Sequence, residues 1–182
     1  MEAHELVVKQ MARIYVGFES HHVVEAILEL GSTFAAYLQR MCHLLLSRLD
    51  EPGRDRAIRL EDVRAVYEGE EFTRAITSAV SGSGDRSLGL LERLILYWAA
   101  ASQSVQFTEK EIFRSLERLL YPLRLTELRR AVQYLTATYL LAESNGRYCY
   151  YMKHLREKLR CVEPDMNFVI ETLAREYREV QR

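Results

Sequence analysis

The sequence predicts a mainly α-helical protein whose second half carries one small β-hairpin, and three observations lead there. Apolar residues recur at three- and four-residue intervals along most of the 182 residues. Helix punctuation falls where that periodicity breaks, with acidic or hydroxyl residues before an apolar stretch and glycine or proline after it. One segment, residues 140–151, departs from the helical period: two short apolar and aromatic runs flank Ser144-Asn145-Gly146.

In the first half, Leu6, Val7, Met11 and Ile14 predict a helix ending near Gly17. Ser20 then stands at an N-cap position before Val23, Val24, Ile27, Leu28 and Leu30, with Gly31 as a stop. Phe34, Tyr37, Leu38, Met41, Leu45 and Leu49 predict a longer amphipathic helix, closed by Glu51-Pro52-Gly53. Ile58-Arg59-Leu60 reads as a short extended entry to a helix that Glu61-Asp62 opens, since acids suit the unpaired N–H groups of a helix start. Phe72, Ala75, Ile76 and Val80 carry the period on to Ser81-Gly82-Ser83-Gly84-Asp85. That stretch has no apolar anchor and reads as a flexible domain linker. Charge changes across it: 9 basic against 14 acidic residues in 1–85, and 16 against 12 in 86–182.

The second half has a different order. Residues 88–101 form a strongly apolar helix, and Ser104-Val105-Gln106-Phe107 alternates like a short strand. Thr108 with Glu111 three residues on is a capping box, opening a helix through Ile112, Leu116, Leu119 and Leu120 that ends at Pro122. Thr126 opens the next helix, with Leu128, Val132, Leu135 and Tyr139 on one face. A hairpin follows, turning on Asn145-Gly146. Helix, short strand, helix, helix, strand, turn, strand is the order of a winged helix, here expected over residues 83–160. A C-terminal helix is expected over 161–182 after the break at Pro164, with Phe168, Leu173 and Tyr177 as its apolar stripe.

Bulk properties exclude several classes. At 48% hydrophobic and 28% charged, the chain has the composition of a soluble globular protein. A net charge of −1 gives it no overall attraction for polyanions. Cys42, Cys149 and Cys161 are odd in number and widely spaced, which points to reduced thiols rather than a disulfide framework or zinc site. No apolar run reaches the roughly 18 residues of a membrane span. The N-terminus also lacks the pattern of a signal peptide, so the expectation is a cytoplasmic protein with no membrane partner.

Several short motifs in residues 5–80 resemble the lid region of P-loop ATPases of the AAA+/STAND signal-transduction type. They are Gln10-Met11…Gly17-Phe18, Val23-Val24-Glu25-Ala26-Ile27-Leu28, Gly31…Tyr37-Leu38-Gln39-Arg40-Met41-Cys42-His43-Leu44-Leu45 and Ile58-Arg59-Leu60-Glu61-Asp62-Val63. Two prolines of that pattern are replaced, by Gln10 and Ala35. The resemblance implies that residues 1–82 are a helical ATPase lid-like domain, and a winged helix commonly follows the lid in that group. A P-loop is missing: Gly84 and Gly89 have the right gap, but Leu90-Leu91 follow in place of Lys-Ser/Thr. The resemblance therefore implies a non-catalytic C-terminal module of a larger ATPase. ATP and Mg would bind only to a nucleotide-binding domain outside this chain, which would be one partner of the module.

Local chemistry is sparse. His21 and His22 are adjacent, about 100° apart around a helix, which argues against their sharing a metal; Cys42-His43 has the same defect. Asp50-Glu51 and Glu61-Asp62 stand at helix ends, where acids are structural. No catalytic, cofactor or metal residue is assigned. The one functional surface is the third helix of the winged domain, where Arg129, Arg130 and Gln133 lie off the apolar stripe. Arg147, Lys153 and Arg156 lie near the wing. Arginine and glutamine can read base edges in a major groove, so double-stranded DNA is one possible target. Glu127 and Glu143 interrupt the patch, which favours a protein partner. The rival class is a free-standing winged-helix transcriptional regulator that binds DNA.

Overall fold

Helix-forming periodicity governs the fold of both halves. The computed structural model describes residues 3–31, 35–50, 52–78, 80 and 82–181. Of the residues named above, Phe34, Glu51 and Ser81 lie outside these ranges, as do the side chains of Leu6 and Lys153. The chain is mainly helical, with two small strand pairs. It divides into two compact units, Met1–Ile76 and Thr77–Arg182. The division falls inside a helix, ahead of the glycine-serine stretch.

The first unit contains α1 (Ala3–Arg13), β1 (Gly17–Phe18), α2 (His21–Gly31), α3 (Ala35–Leu49), β2 (Ala57–Ile58), α4 (Leu60–Glu68) and most of α5 (Glu70–Ser78). The expected periodic residues form its core: Met11, Val23, Ile27, Leu38, Met41, Leu45, Ile58, Val63, Phe72 and Ile76 are buried. Ile14, expected on the apolar face of α1, lies past its end and is 42% exposed. The extended entry at Ile58 is a strand, and its partner was not foreseen. β2 pairs in parallel with β1, Gly17 opposite Ala57 and Phe18 opposite Ile58. Asp62 closes the first turn of α4 by accepting from the Arg59 N–H at 2.9 Å. It is also the buried partner of Arg54 at 2.7 Å, with Arg48 3.6 Å away.

The second unit is arranged around α6 (Arg86–Ala101), where ten residues between Gly89 and Ala100 are buried. It continues through α7 (Glu109–Glu117), α8 (Leu125–Ala137), β3 (Leu141–Ser144), β4 (Arg147–Tyr150), α9 (Lys153–Val162) and α10 (Met166–Val180). α10 and α8 make the most extensive contacts with α6. Thr108 and Glu111 form the expected capping box. β3 and β4 pair antiparallel across Asn145 and Gly146, both at positive φ (53° and 73°) as a tight hairpin turn requires. The expected strand at residues 104–107 shrinks to a single bridge, in which Phe107 and Tyr148 exchange both backbone hydrogen bonds. Phe107 is the only residue of that run that is buried, edge-on to Trp98 at 5.5 Å.

Two expectations change here. The stripe of α10 is Met166, Ile170, Leu173, Ala174 and Tyr177, facing α6, whereas Phe168 is 65% exposed. Residue 168 lies two positions after Met166, about 200° around the helix and so on the opposite side. The glycine-serine stretch is also not loose where it is described. Ser83 N–H donates to the buried Glu92 Oε2 at 2.6 Å, and Asp85 caps α6 by accepting from Leu88 N–H. Gly82, at φ +85°, lies so close to Gly89 that a Cβ on it would meet the Gly89 Cα at 2.8 Å. These two glycines permit a close backbone crossing rather than freedom.

Gly89→Ala tests that crossing. Alanine inside a helix ordinarily stabilises by about 1 kcal/mol over glycine. Here its Cβ would lie 2.9 Å from the Ser83 carbonyl oxygen. Urea denaturation should show a loss of about 1–3 kcal/mol, the usual cost of overpacking. A gain would contradict the crossing.

Candidate interaction surface

α8 places its apolar residues Leu128, Ala131, Val132 and Leu135 inward and leaves Arg129, Arg130 and Gln133 exposed. Consecutive helical positions diverge by about 100°, and the two arginines accordingly serve different neighbours. Arg129 Nε lies 3.1 Å from Glu109 Oε2 on α7. The other oxygen of Glu109 accepts from the Tyr148 hydroxyl on β4 at 3.4 Å. One acid thus joins α7, α8 and the hairpin. Around it lies an open groove of about 480 Å³, lined by Lys110, Phe113, Leu125, Arg129 and Tyr148 among others. Arg130 instead borders a recess of about 140 Å³ with Asp85, Glu127 and Tyr177. Tyr177 donates to Glu127 at 3.3 Å, and burial, followed by that carboxylate, pushes its hydroxyl up to about 12.

The remaining residues of the expected patch separate further. Arg147 is exposed on the hairpin, and its charge helps lower the carboxyl of Glu111, after the hydrogen bonds from Thr108. Lys153 begins α9. Arg156 is half-buried: its guanidinium donates to the Ala100 and Ser102 carbonyls at the C-terminus of α6. Arg160, which sequence reasoning passed over, does the same at 2.7 and 3.0 Å. Two cations at a helix C-terminus satisfy its orphan carbonyls and oppose its dipole. Their four-residue spacing on α9 was the available signal. Tyr148 and Tyr150 face inward and Tyr151 is exposed, as the strand alternation predicts. The Tyr150 hydroxyl donates to the Leu96 carbonyl.

Titratable groups elsewhere differ in what sets their protonation. Burial pushes the Cys42 thiol up to about 11, which leaves it protonated and a poor nucleophile at neutral pH. Burial alone would raise the Asp62 carboxyl, but the Arg59 N–H and the Arg54 and Arg48 guanidiniums hold it below the ordinary range. Glu92 is the reverse case. Burial raises its carboxyl despite the Ser83 N–H, and its Oε1 has no hydrogen-bond partner among the described residues. His21, His22 and Glu25 are exposed at the start of α2, with one ligand atom from each within 4.8 Å of the others. The 100° argument does not separate the two histidines here. Side chains of a helix's first residues have no preceding turn to restrict their rotamers, and the two rings lie 3.8 Å apart.

No family model matches the chain, and no curated protein or solved structure matches it. No helix among the described residues is long and apolar enough to cross a membrane.

Glu92 and Asp62 titrate with opposite effects on stability. A carboxyl raised in the fold holds its proton more tightly there than in the unfolded chain. The contribution of Glu92 is therefore present below the ordinary glutamate pKa and lost as pH rises through the folded-state value. That of Asp62 is present above the ordinary aspartate pKa and lost as pH falls through its lowered one. Glu92→Gln should raise the melting temperature of the second unit at pH 7 and change it little at pH 4. Calorimetry showing a loss at pH 7 would mean that the charge is needed.

Proposed function

We propose that this chain is a non-catalytic interaction module whose second unit acts as a winged helix and docks a protein partner through α8 and the hairpin. The observation that carries this reading is the Glu109–Arg129 pair. Arg129, one of the exposed cations of α8, is already matched by a carboxylate, beside the apolar side chains of Phe113 and Leu125. Leu125 is 41% exposed on that face, and interfaces favour aromatic and apolar anchors. Arg156 and Arg160 are engaged by carbonyls at the end of α6, which fixes their guanidiniums there. With the motif resemblance of residues 5–80, this supports a regulatory module of an AAA+/STAND-type ATPase. In that reading the first unit is lid-like, and ATP and Mg belong to a nucleotide-binding domain outside this sequence.

The second reading, a DNA-binding regulator, is favoured by Arg130, Gln133 and Arg147, all exposed. Fluorescence anisotropy of the full chain against duplex DNA separates the two. Protein docking predicts no measurable binding at about 100 mM salt, where exposed charges beyond roughly 10 Å are screened. DNA recognition predicts binding that weakens steeply with salt. In that case Arg129→Ala with Arg130→Ala would flatten the salt slope by about two units if both contact phosphates. Calorimetry with MgATP should show no binding, and turnover would contradict the non-catalytic reading.

A further inference from the structure

We propose that His21, His22 and Glu25 form a surface site for a transition-metal dication of the zinc and nickel class. The three ligand atoms already lie within 4.8 Å of one another. Metal–ligand bonds of about 2.0–2.2 Å put the ligand atoms of a tetrahedral site about 3.3–3.6 Å apart. One pair comes close to such an edge, since His22 Nδ1 and Glu25 Oε2 are 3.1 Å apart. The His21 and His22 rings, with centroids 3.8 Å apart and tilted by 41°, must swing apart to about 5 Å for both to point a nitrogen at one tetrahedral ion, a rotation open to exposed side chains.

The donor set decides the class of ion. Two imidazole nitrogens and one carboxylate oxygen are the ligands of open zinc sites, which leave a further position to water. Calcium and magnesium require shells of oxygen and are poorly served by imidazole. The ion takes the place of the proton between His22 Nδ1 and Glu25. A neutral ring shifts its proton from Nδ1 to Nε2 with no net release, and a charged ring releases its Nδ1 proton to solvent and keeps the one on Nε2. The Glu25 charge offsets the positive end of the α2 dipole, which by itself opposes a cation. All three residues are exposed, so the ion enters without any opening of the fold, and replacing them removes no core contact.

The test uses the full chain, untagged and stripped of metal with a chelator. It is titrated with Zn²⁺ and with Ni²⁺ by calorimetry, and with Ni²⁺ by NMR, with Mg²⁺ and Ca²⁺ as controls. The site predicts saturable binding of one Ni²⁺ per chain at micromolar concentration. Paramagnetic broadening should centre on residues 21–25, and the controls should give no binding there. His21→Ala and His22→Ala should each weaken binding by more than about tenfold, because even loss of an outer partner costs a metal site 10–100-fold. Glu25→Gln should weaken it less, and His154→Ala, at the other His–Glu pair, should leave it unchanged. Circular dichroism should be the same for all variants. Failure to saturate by millimolar Ni²⁺, or affinity that survives both histidine substitutions, would overturn the site.

Discussion

The second unit depends on burying α6 from almost every side. Leu90, Leu91, Leu94, Ile95, Leu96, Ala99 and Ala100 cover most of its circumference, with Arg93 and Trp98 half-buried, and a helix so largely apolar must be enclosed. α10, α8 and α9 enclose it. Each large apolar side chain fully buried there stabilises by about 1.5–3 kcal/mol. The unpaired N–H and C=O groups of its two ends also draw partners from the chain itself. Asp85 supplies one at the N-terminus, and Arg156, Arg160 and Tyr150 supply the others towards the C-terminus.

That requirement shapes the outer surface. Arg156, which in one dimension looks like part of a basic patch, donates instead to the C-terminal carbonyls of α6. α8 keeps its polar face outside, but Glu109 matches Arg129 and ties both to Tyr148. What remains outward is mixed in charge, with apolar positions at Phe113, Leu125 and Tyr134. Such a surface suits a protein better than a polyanion, whose affinity rests on many phosphate contacts by unopposed cations.

The sequence was most legible where the cause of structure is local. The Thr108–Glu111 box, the Asn145–Gly146 turn and the periodicity of α2, α3 and α8 each depend on residues within one or two turns. Contacts between distant segments were not legible. Nothing around Gly17 announces its pairing with Ala57, forty residues away. The 104–107 run alternates like a strand, yet only Phe107 meets a partner. Gly82 and Gly89 are as common in loose linkers as in close crossings, and only the buried Glu92 distinguishes the two. The surface patch was half legible. Exposure of Arg129, Arg130, Gln133 and Arg147 follows from the α8 stripe and the strand alternation, but their neighbours do not.

Amide hydrogen exchange of the full chain tests most directly whether α6 is the element on which the second unit depends. Protected amides of a fully enclosed helix exchange only when the whole unit opens. The account predicts that residues 90–100 are the slowest in the second unit, and that buried turns of α8 and α10 exchange at the same limiting rate. It would be contradicted if α6 exchanged faster than α8 and the hairpin, or if α10 opened while α6 stayed protected.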